Sequence, residues 1–329
     1  MANKKQLVLD ALNNKPTERV PVGFWFHYTK NEMLPVSENP EMRKENLDGH
    51  KKFVQEFKPD FVKLMSDGYI FEPKTAKFLH NVKSAKELYE LKPVSKDDSW
   101  ITEQVSLVKE LTSSFGNEVL TFYNIFAPAT AFKWSVEGAD KKLAQFIKED
   151  KYAVLYALSV IAKNTQAVAE AVISEGKADG IYLSVQTIQD AFVGPDLYAE
   201  IISPSELSVL NAAIGAGGKN ILHVCGYEGA RNNLSLFKNY PANAVNFASV
   251  VEGVSLAEAK KIFGGKAIIG GFANTTDGVL FSGTKEEIQA ETKRLLKDSG
   301  RTGIILGADC TIPRGTDLQH LEWIREAAE

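Results

Sequence analysis

Apolar runs recur along this chain at near-regular intervals, and polar segments with helical periodicity separate them. The runs fall at 20–28, 61–65, 119–126, 180–185, 220–224, 244–248, 267–270 and 303–306. Each is almost continuously apolar rather than alternating, as expected for strands buried on both faces in a parallel sheet. Between them, helices are expected at 3–14, 41–57, 101–114, 140–148, 150–175, 196–202, 204–215, 228–237, 255–262, 284–298 and 316–327. The segment 150–175 shows the spacing most clearly, with Val154, Leu155, Leu158, Ile161, Ala162 and Ala167 on one side. Residues 30–50 carry Pro35 and Pro40 and read as a long excursion, and the stretch around Trp134 reads as a loop. Alternating strands and helices, with no dinucleotide-type glycine fingerprint, favour a closed (β/α)8 TIM barrel over an open doubly wound sheet. No linker rich in Gly, Pro or Ser divides the chain, so residues 1–329 are expected to form a single α/β domain.

Bulk composition narrows the function classes without selecting one. Hydrophobic residues make up 44% and charged residues 24% of the 329, ordinary values for a globular protein. A net charge of −4 gives no electrostatic reason to expect nucleic acid or an anionic membrane surface as partner. The start, Met1-Ala2-Asn3-Lys4-Lys5, lacks the apolar core of a signal peptide, and no apolar run reaches the ~18 residues of a membrane span. Two cysteines without an export signal point to a reducing, cytoplasmic setting, although a lone disulfide is the alternative for the pair.

Those two cysteines change the picture. Cys225 follows His223 by two positions at the end of the fifth apolar run, and Cys310 lies just past the eighth. On a strand, residues two apart share a face, so His223 and Cys225 point the same way. In a barrel, both segments would end at the mouth where active sites gather. One imidazole and two thiolates suit zinc with an open fourth position. Such a centre bears no net charge and holds an incoming thiol as thiolate, where a free thiol of pKa about 8.5 stays mostly protonated. Electron-rich zinc thiolate favours attack on a methyl group over hydrolysis. A core histidine with two inert thiols is the bland alternative. Other polar residues ending strands would face the same mouth. Asp67 is a candidate acid or base, or a turn former before Gly68; His27, Gln186 and Asn274 are candidate substrate contacts.

Several segments together resemble the uroporphyrinogen decarboxylase superfamily, and most nearly its zinc-dependent corrinoid:thiol (methylcobamide:coenzyme M type) methyltransferases. They are Arg19-Val20-Pro21-Val22, Ala127-Pro128 with Val136-Glu137-Gly138, Ala178 to Tyr182, Ile221 to Gly226, Gly270 to Asn274, Gly283 to Glu287 and Leu306 to Pro313. The resemblance implies a (β/α)8 barrel and a methyltransferase using Zn2+ held by His223, Cys225 and Cys310. It further implies a corrinoid, free or on a partner protein, as methyl donor and a small thiol as acceptor. The decarboxylases carry an Arg-Gln-Ala-Gly-Arg segment after the first strand, where this chain has Gly23-Phe24-Trp25-Phe26-His27-Tyr28-Thr29-Lys30. Their catalytic aspartate corresponds to Asp67, their tyrosine before Met-Val-Glu-Gly to Trp134, and their final Gly-His-Gly to Ala308-Asp309-Cys310. A polycarboxylate substrate calls for guanidinium partners, so the missing arginines weigh against decarboxylation of a porphyrinogen. That decarboxylation, and a barrel that binds metal or corrinoid without chemistry, are the alternatives. Cobalamin-independent methionine synthases of similar pattern place a glutamate where this chain has Asn246-Phe247. That leaves Glu252 and Asp309 as candidates for a fourth zinc ligand.

Overall fold

The computed structural model describes residues 3–329. Seven parallel strands form one curved sheet in sequence order: β1 Phe61–Leu64, β2 Leu120–Phe126, β3 Gly180–Val185, β4 Ile221–Val224, β5 Ala244–Phe247, β6 Ala267–Phe272 and β7 Ile304–Ala308. All seven lie where an apolar run occurs, within a residue or two at either end. Their side chains are buried almost throughout. Sequential parallel pairing requires a crossover after every strand, and helices on the outside supply most of them.

The expected first strand is the main departure. Between β7 and β1 the chain makes a single parallel bridge, Val22 with Leu306. The Gly23 amide donates to Leu306 O at 2.9 Å, the Leu306 amide to Pro21 O at 2.9 Å, and the Asp60 amide to Val22 O at 3.1 Å. Pro21 has no N–H to extend the ladder. Past Gly23 the pairing moves to the loop after β7, where the Ile312 amide donates to Trp25 O at 3.0 Å. Arg19 grips the buried Asp60 carboxylate with two bonds of 2.7 and 2.6 Å, and the same carboxylate accepts from the Val22 amide at 2.8 Å. The eighth position is thus filled by an extended segment bonded on both sides, and the α/β barrel closes. Inside it lies a cluster that includes Trp25, Phe61, Phe122, Tyr182, Ile221, Ile269 and Ile305.

Among the helices, Glu41–Phe57, Ser99–Phe115, Lys285–Ser299 and Leu318–Ala327 sit as the periodicity predicts. Thr284 and Glu287 form a capping box at the start of Lys285–Ser299, satisfying two otherwise orphaned amides. The two helices expected over 140–175 form one helical rod, Ala139–Ser174, broken at Asp150 (φ −158°, ψ 94°). Asp150 accepts from the Tyr152 and Ala153 amides at 3.0 and 3.1 Å, capping the second half. Three differences stand out. Pro128–Ser135, expected as a loop, is a helix with Pro128 in its first turn, where a missing N–H costs nothing. Pro73–Asn81 is a helix capped by Glu72. The helix expected over 228–237 is two 3-10 turns, Tyr227–Gly229 and Leu234–Phe237.

The start of β3 is packed to backbone contact. A Cβ on Gly180 would meet Lys219 O at 1.7 Å. Both partners belong to backbone held in register, since Lys219 N donates to Asp179 O at 2.8 Å. Gly180→Ala is therefore expected to destabilise the fold by about 3 kcal/mol or more, at the severe end for overpacking. Thermal or urea unfolding of the variant measures this, and an unchanged midpoint would contradict the packing described.

Candidate metal centre

Register decides what meets at the mouth. Ser184 pairs with His223 and His223 with Asn246 across neighbouring strands, so their inward side chains are adjacent. Asn246 donates both amide hydrogens to backbone carbonyls, Ile269 O and Ala308 O, each at 3.0 Å. Its Oδ1 is left facing His223 Nδ1 at 2.5 Å. An acceptor there requires Nδ1 to carry the proton, so Nε2 presents its lone pair. That lone pair points at Cys310, whose Sγ lies 3.4 Å from Nε2. The donor atoms of His223, Cys225 and Cys310 all lie within 4.8 Å of one another. Tetrahedral zinc, with sulfur at about 2.3 Å and nitrogen at about 2.1 Å, spaces its ligands by about 3.5–3.8 Å. The His223–Cys310 separation already suits this, and a small approach by Cys225 completes it. The donor set fits the metal.

Both cysteines are unpaired, so no disulfide joins them. Contact between the two thiols lowers the Cys310 pKa and raises that of Cys225. Burial resists ionisation of Cys310, while the Lys63 ammonium favours it.

The three donors open on a cavity of about 460 Å³ that His27, Gln186, Lys63 and Lys133 also line. Phe126, Trp134 and Tyr227 form an aromatic wall to it, with Trp134 centred 5.2 Å from Phe126 and 5.4 Å from Tyr227. Gln186 reaches the cavity but is occupied. Its Oε1 accepts from Lys133 at 2.6 Å, and Lys133 also pairs with Asp140 at 2.8 Å.

Two of the expected site residues do not line the cavity. Asp67 stands behind His27, its Oδ1 2.7 Å from His27 Nδ1. Its Oδ2 accepts from the Tyr28 and Thr29 amides at 2.8 and 3.3 Å. Burial pushes the Asp67 carboxyl up, but the His27 bond and these amides outweigh it and hold the group below its ordinary value. Asp67 thus acts on the cavity only through His27, whose Nε2 lies 3.8 Å from Glu32. Asn274 donates to Thr311 O at 3.3 Å, bracing the loop that carries Cys310.

Neither carboxylate considered as a fourth ligand joins the donor cluster. Asp309 accepts from Ser249 Oγ at 2.6 Å and the Val250 amide at 2.8 Å, and burial raises it to about 6. Glu252 binds the Asn232 amide at 2.9 Å, and Asn232 in turn holds Cys225 O at 2.9 Å. Both carboxylates brace loops behind the cysteines. Lys63 and Lys133 were missed from sequence. The available signal for Lys63 was a lone cation inside the apolar run Phe61-Val62-Lys63-Leu64-Met65.

Known proteins match this architecture. The family model for uroporphyrinogen decarboxylase (URO-D) matches residues 64–329. Methylcobamide:CoM methyltransferase MtbA of Methanosarcina mazei is 26% identical over 250 residues, which cover 76% of this chain and 70% of that protein. A solved methyltransferase structure from Methanosarcina mazei superposes with a TM-score of 0.76 at 16% identity, covering 100% of this chain and 98% of its own. A B12-independent methionine synthase from a Shewanella species gives 0.57 at 13% identity, over 94% and 97% of the two chains. The structural likenesses speak for the fold, and they agree with the barrel. Among the described residues no helix is long and apolar enough to cross a membrane.

The hydrogen bond from His223 to Asn246 generates a direct expectation. Asn246→Ala frees the imidazole to rotate and to swap its proton, which at comparable sites costs about 10- to 100-fold in metal affinity. Competition with a chromophoric chelator measures it, and wild-type affinity in the variant would remove Asn246 from the site.

Proposed function

The chain belongs to the uroporphyrinogen decarboxylase (URO-D) family, and from that premise we propose that it is a zinc-dependent methyltransferase. In this proposal it moves a methyl group from a corrinoid, free or on a partner corrinoid protein, to a small thiol. The observation that carries the proposal is the convergence of His223, Cys225 and Cys310 on one cavity at the mouth of the barrel. The likeness to a methyltransferase of the family supports it.

His223, Cys225 and Cys310 are the residues that would hold Zn2+, and Zn2+ when bound supplies the electrostatic field that keeps a thiol deprotonated at neutral pH. Asn246 fixes the imidazole so that its lone pair faces the site. Across the transfer the acceptor sulfur loses its proton and gains the methyl carbon. Both electrons of the cobalt–carbon bond stay with the corrinoid. His27, pinned by Asp67 at Nδ1, offers Nε2 to the cavity and is the group we assign to receive that proton. The aromatic wall of Phe126, Trp134 and Tyr227 excludes water and presents flat apolar surface. In the same proposal the whole chain is one domain working in a reducing cytoplasm, where its two thiols stay free.

Decarboxylation of a porphyrinogen fits the cavity less well. Among the described residues its lining includes no arginine, and of its two lysines Lys133 is already paired with Asp140. A substrate rich in carboxylates needs bidentate cationic partners.

Protein purified without chelators is expected to carry about one zinc per chain, as a three-ligand site requires. Cys310→Ala and His223→Ala are expected to lose it while remaining folded. Elemental analysis with circular dichroism decides the matter. Metal-free wild type, or full zinc in Cys310→Ala, would overturn the proposal.

A further inference from the structure

Lys63 lines this cavity with no carboxylate partner among the described residues, and the proposed chemistry gives it no task. It projects from β1 into the barrel and is 3% exposed. Its ammonium lies 4.3 Å from the ring centroid of Tyr182 and 5.0 Å from that of Trp25. No carboxylate pairs with it and no acceptor receives its hydrogens among the described residues. Beside it Trp25 Nε1 and the Tyr182 hydroxyl are also buried without partners. The nearby Asp67 is already occupied by His27 and by the Tyr28 and Thr29 amides. Burying a charge is costly unless something opposite in sign compensates it, and facing ring π-clouds compensate only in part. The side left open to a further partner is the cavity, where the ammonium shares a wall with His223, Cys225 and Cys310.

We propose that Lys63 is the resident counter-charge for a third thiolate, so that the site takes its acceptor thiol in the anionic form. This rests on the reading of the three donors as a metal–thiolate centre. The charges give it a distinctive consequence. A dication, two cysteine thiolates and a neutral imidazole sum to zero, and Lys63 adds one positive charge beside them. An acceptor whose proton has left by way of His27 to solvent adds one negative charge and brings the sum back to zero. Lys63 therefore has little hold on the neutral, metal-loaded centre and a strong hold on the anion that joins it. Burial pushes Lys63 down to about 8, and negative charge on Cys310, Cys225 and Asp67 opposes that shift.

Lys63→Met tests this, since it keeps the length of the side chain, removes the charge and relieves a buried cation, so it is expected to fold. With Co2+ in place of zinc, sulfur-to-metal charge-transfer absorption counts the thiolates held. Titration with 2-mercaptoethanol then reads the affinity for a third. The expected result is unchanged metal retention with thiol affinity weaker by about tenfold or more, the scale of one unit charge at close range in a protein interior. Equal thiol affinity in wild type and Lys63→Met overturns the inference and leaves the metal centre standing. Loss of metal in both Lys63→Met and Lys63→Gln also overturns it, by making the residue structural. Wild type that binds no metal instead sinks the underlying reading of the site.

Discussion

One side-chain amide governs the mouth of this barrel. Asn246 leaves β5 and spends both of its hydrogens on carbonyls of other strands, Ile269 O on β6 and Ala308 O at the end of β7. Only its oxygen remains, and that oxygen meets His223 on β4. A carboxylate could not do this, because it has no hydrogens to give those carbonyls. A hydroxyl could donate to one of them at most. Four strands are therefore tied through a group whose orientation cannot be reversed without stranding two buried carbonyls. The same constraint selects the imidazole tautomer, and so the direction of the lone pair that faces Cys310. A glutamate at this position would put a negative charge where this chain needs a neutral, two-handed donor.

Charge around the site is distributed in an order that follows from that choice. The centre holds two ionisable thiols and a buried ammonium, with no guanidinium among the cavity lining. Of the carboxylates that line the cavity, Asp140 is paired with Lys133 and Glu32 with Arg314, and those nearest the cysteines stand behind them. Asp309 is consumed by Ser249 and Val250, and Glu252 by Asn232, which also grips the Cys225 carbonyl. Both fasten the short helical turn Ser249–Glu252 behind the cysteines. Asp67 is likewise withdrawn, held by backbone amides and turned toward His27. The carboxylates near the place where a sulfur anion is proposed to form are each bonded elsewhere, and among the described residues Lys63 stands beside that place as a cation without a carboxylate partner.

The strands were legible in the sequence because a parallel barrel buries both faces, and continuous apolar runs are hard to mistake for anything else. The cysteines were legible because they are rare and fall at strand ends. Residues whose role depends on direction were not legible. Asp67 and His27 both fall at or just past the ends of apolar runs, and nothing in their spacing says that one stands behind the other. Asn274 lies two residues past β6 yet turns toward the Thr311 carbonyl. Lys63 was hidden by its surroundings, since a single lysine in an apolar run reads as an edge or a snorkelling stem until a closed barrel leaves it nowhere to go. The helix Pro128–Ser135 was missed because its opening Ala-Pro looks like a turn, although proline suits a first helical turn.

The fold alone does not choose between the chemistries its family supports, because the layers that close the barrel are apolar whichever reaction sits on top. What chooses is where the ladder leaves its last inward side chains. His223 pairs with Asn246, Asn246 with Ile269, and Ile269 with Ile305. Cys310 lies past the end of that last strand and comes back to within 3.4 Å of His223, 87 residues away in sequence. A slip of one residue anywhere in that chain of pairings would turn His223 or Asn246 out of the barrel. The arrangement therefore depends less on any loop than on an unbroken register through four strands. The bridge at Val22 and the Arg19–Asp60 clamp matter to the site for this reason: they close the circle that keeps β7, and with it Cys310, in register with the rest.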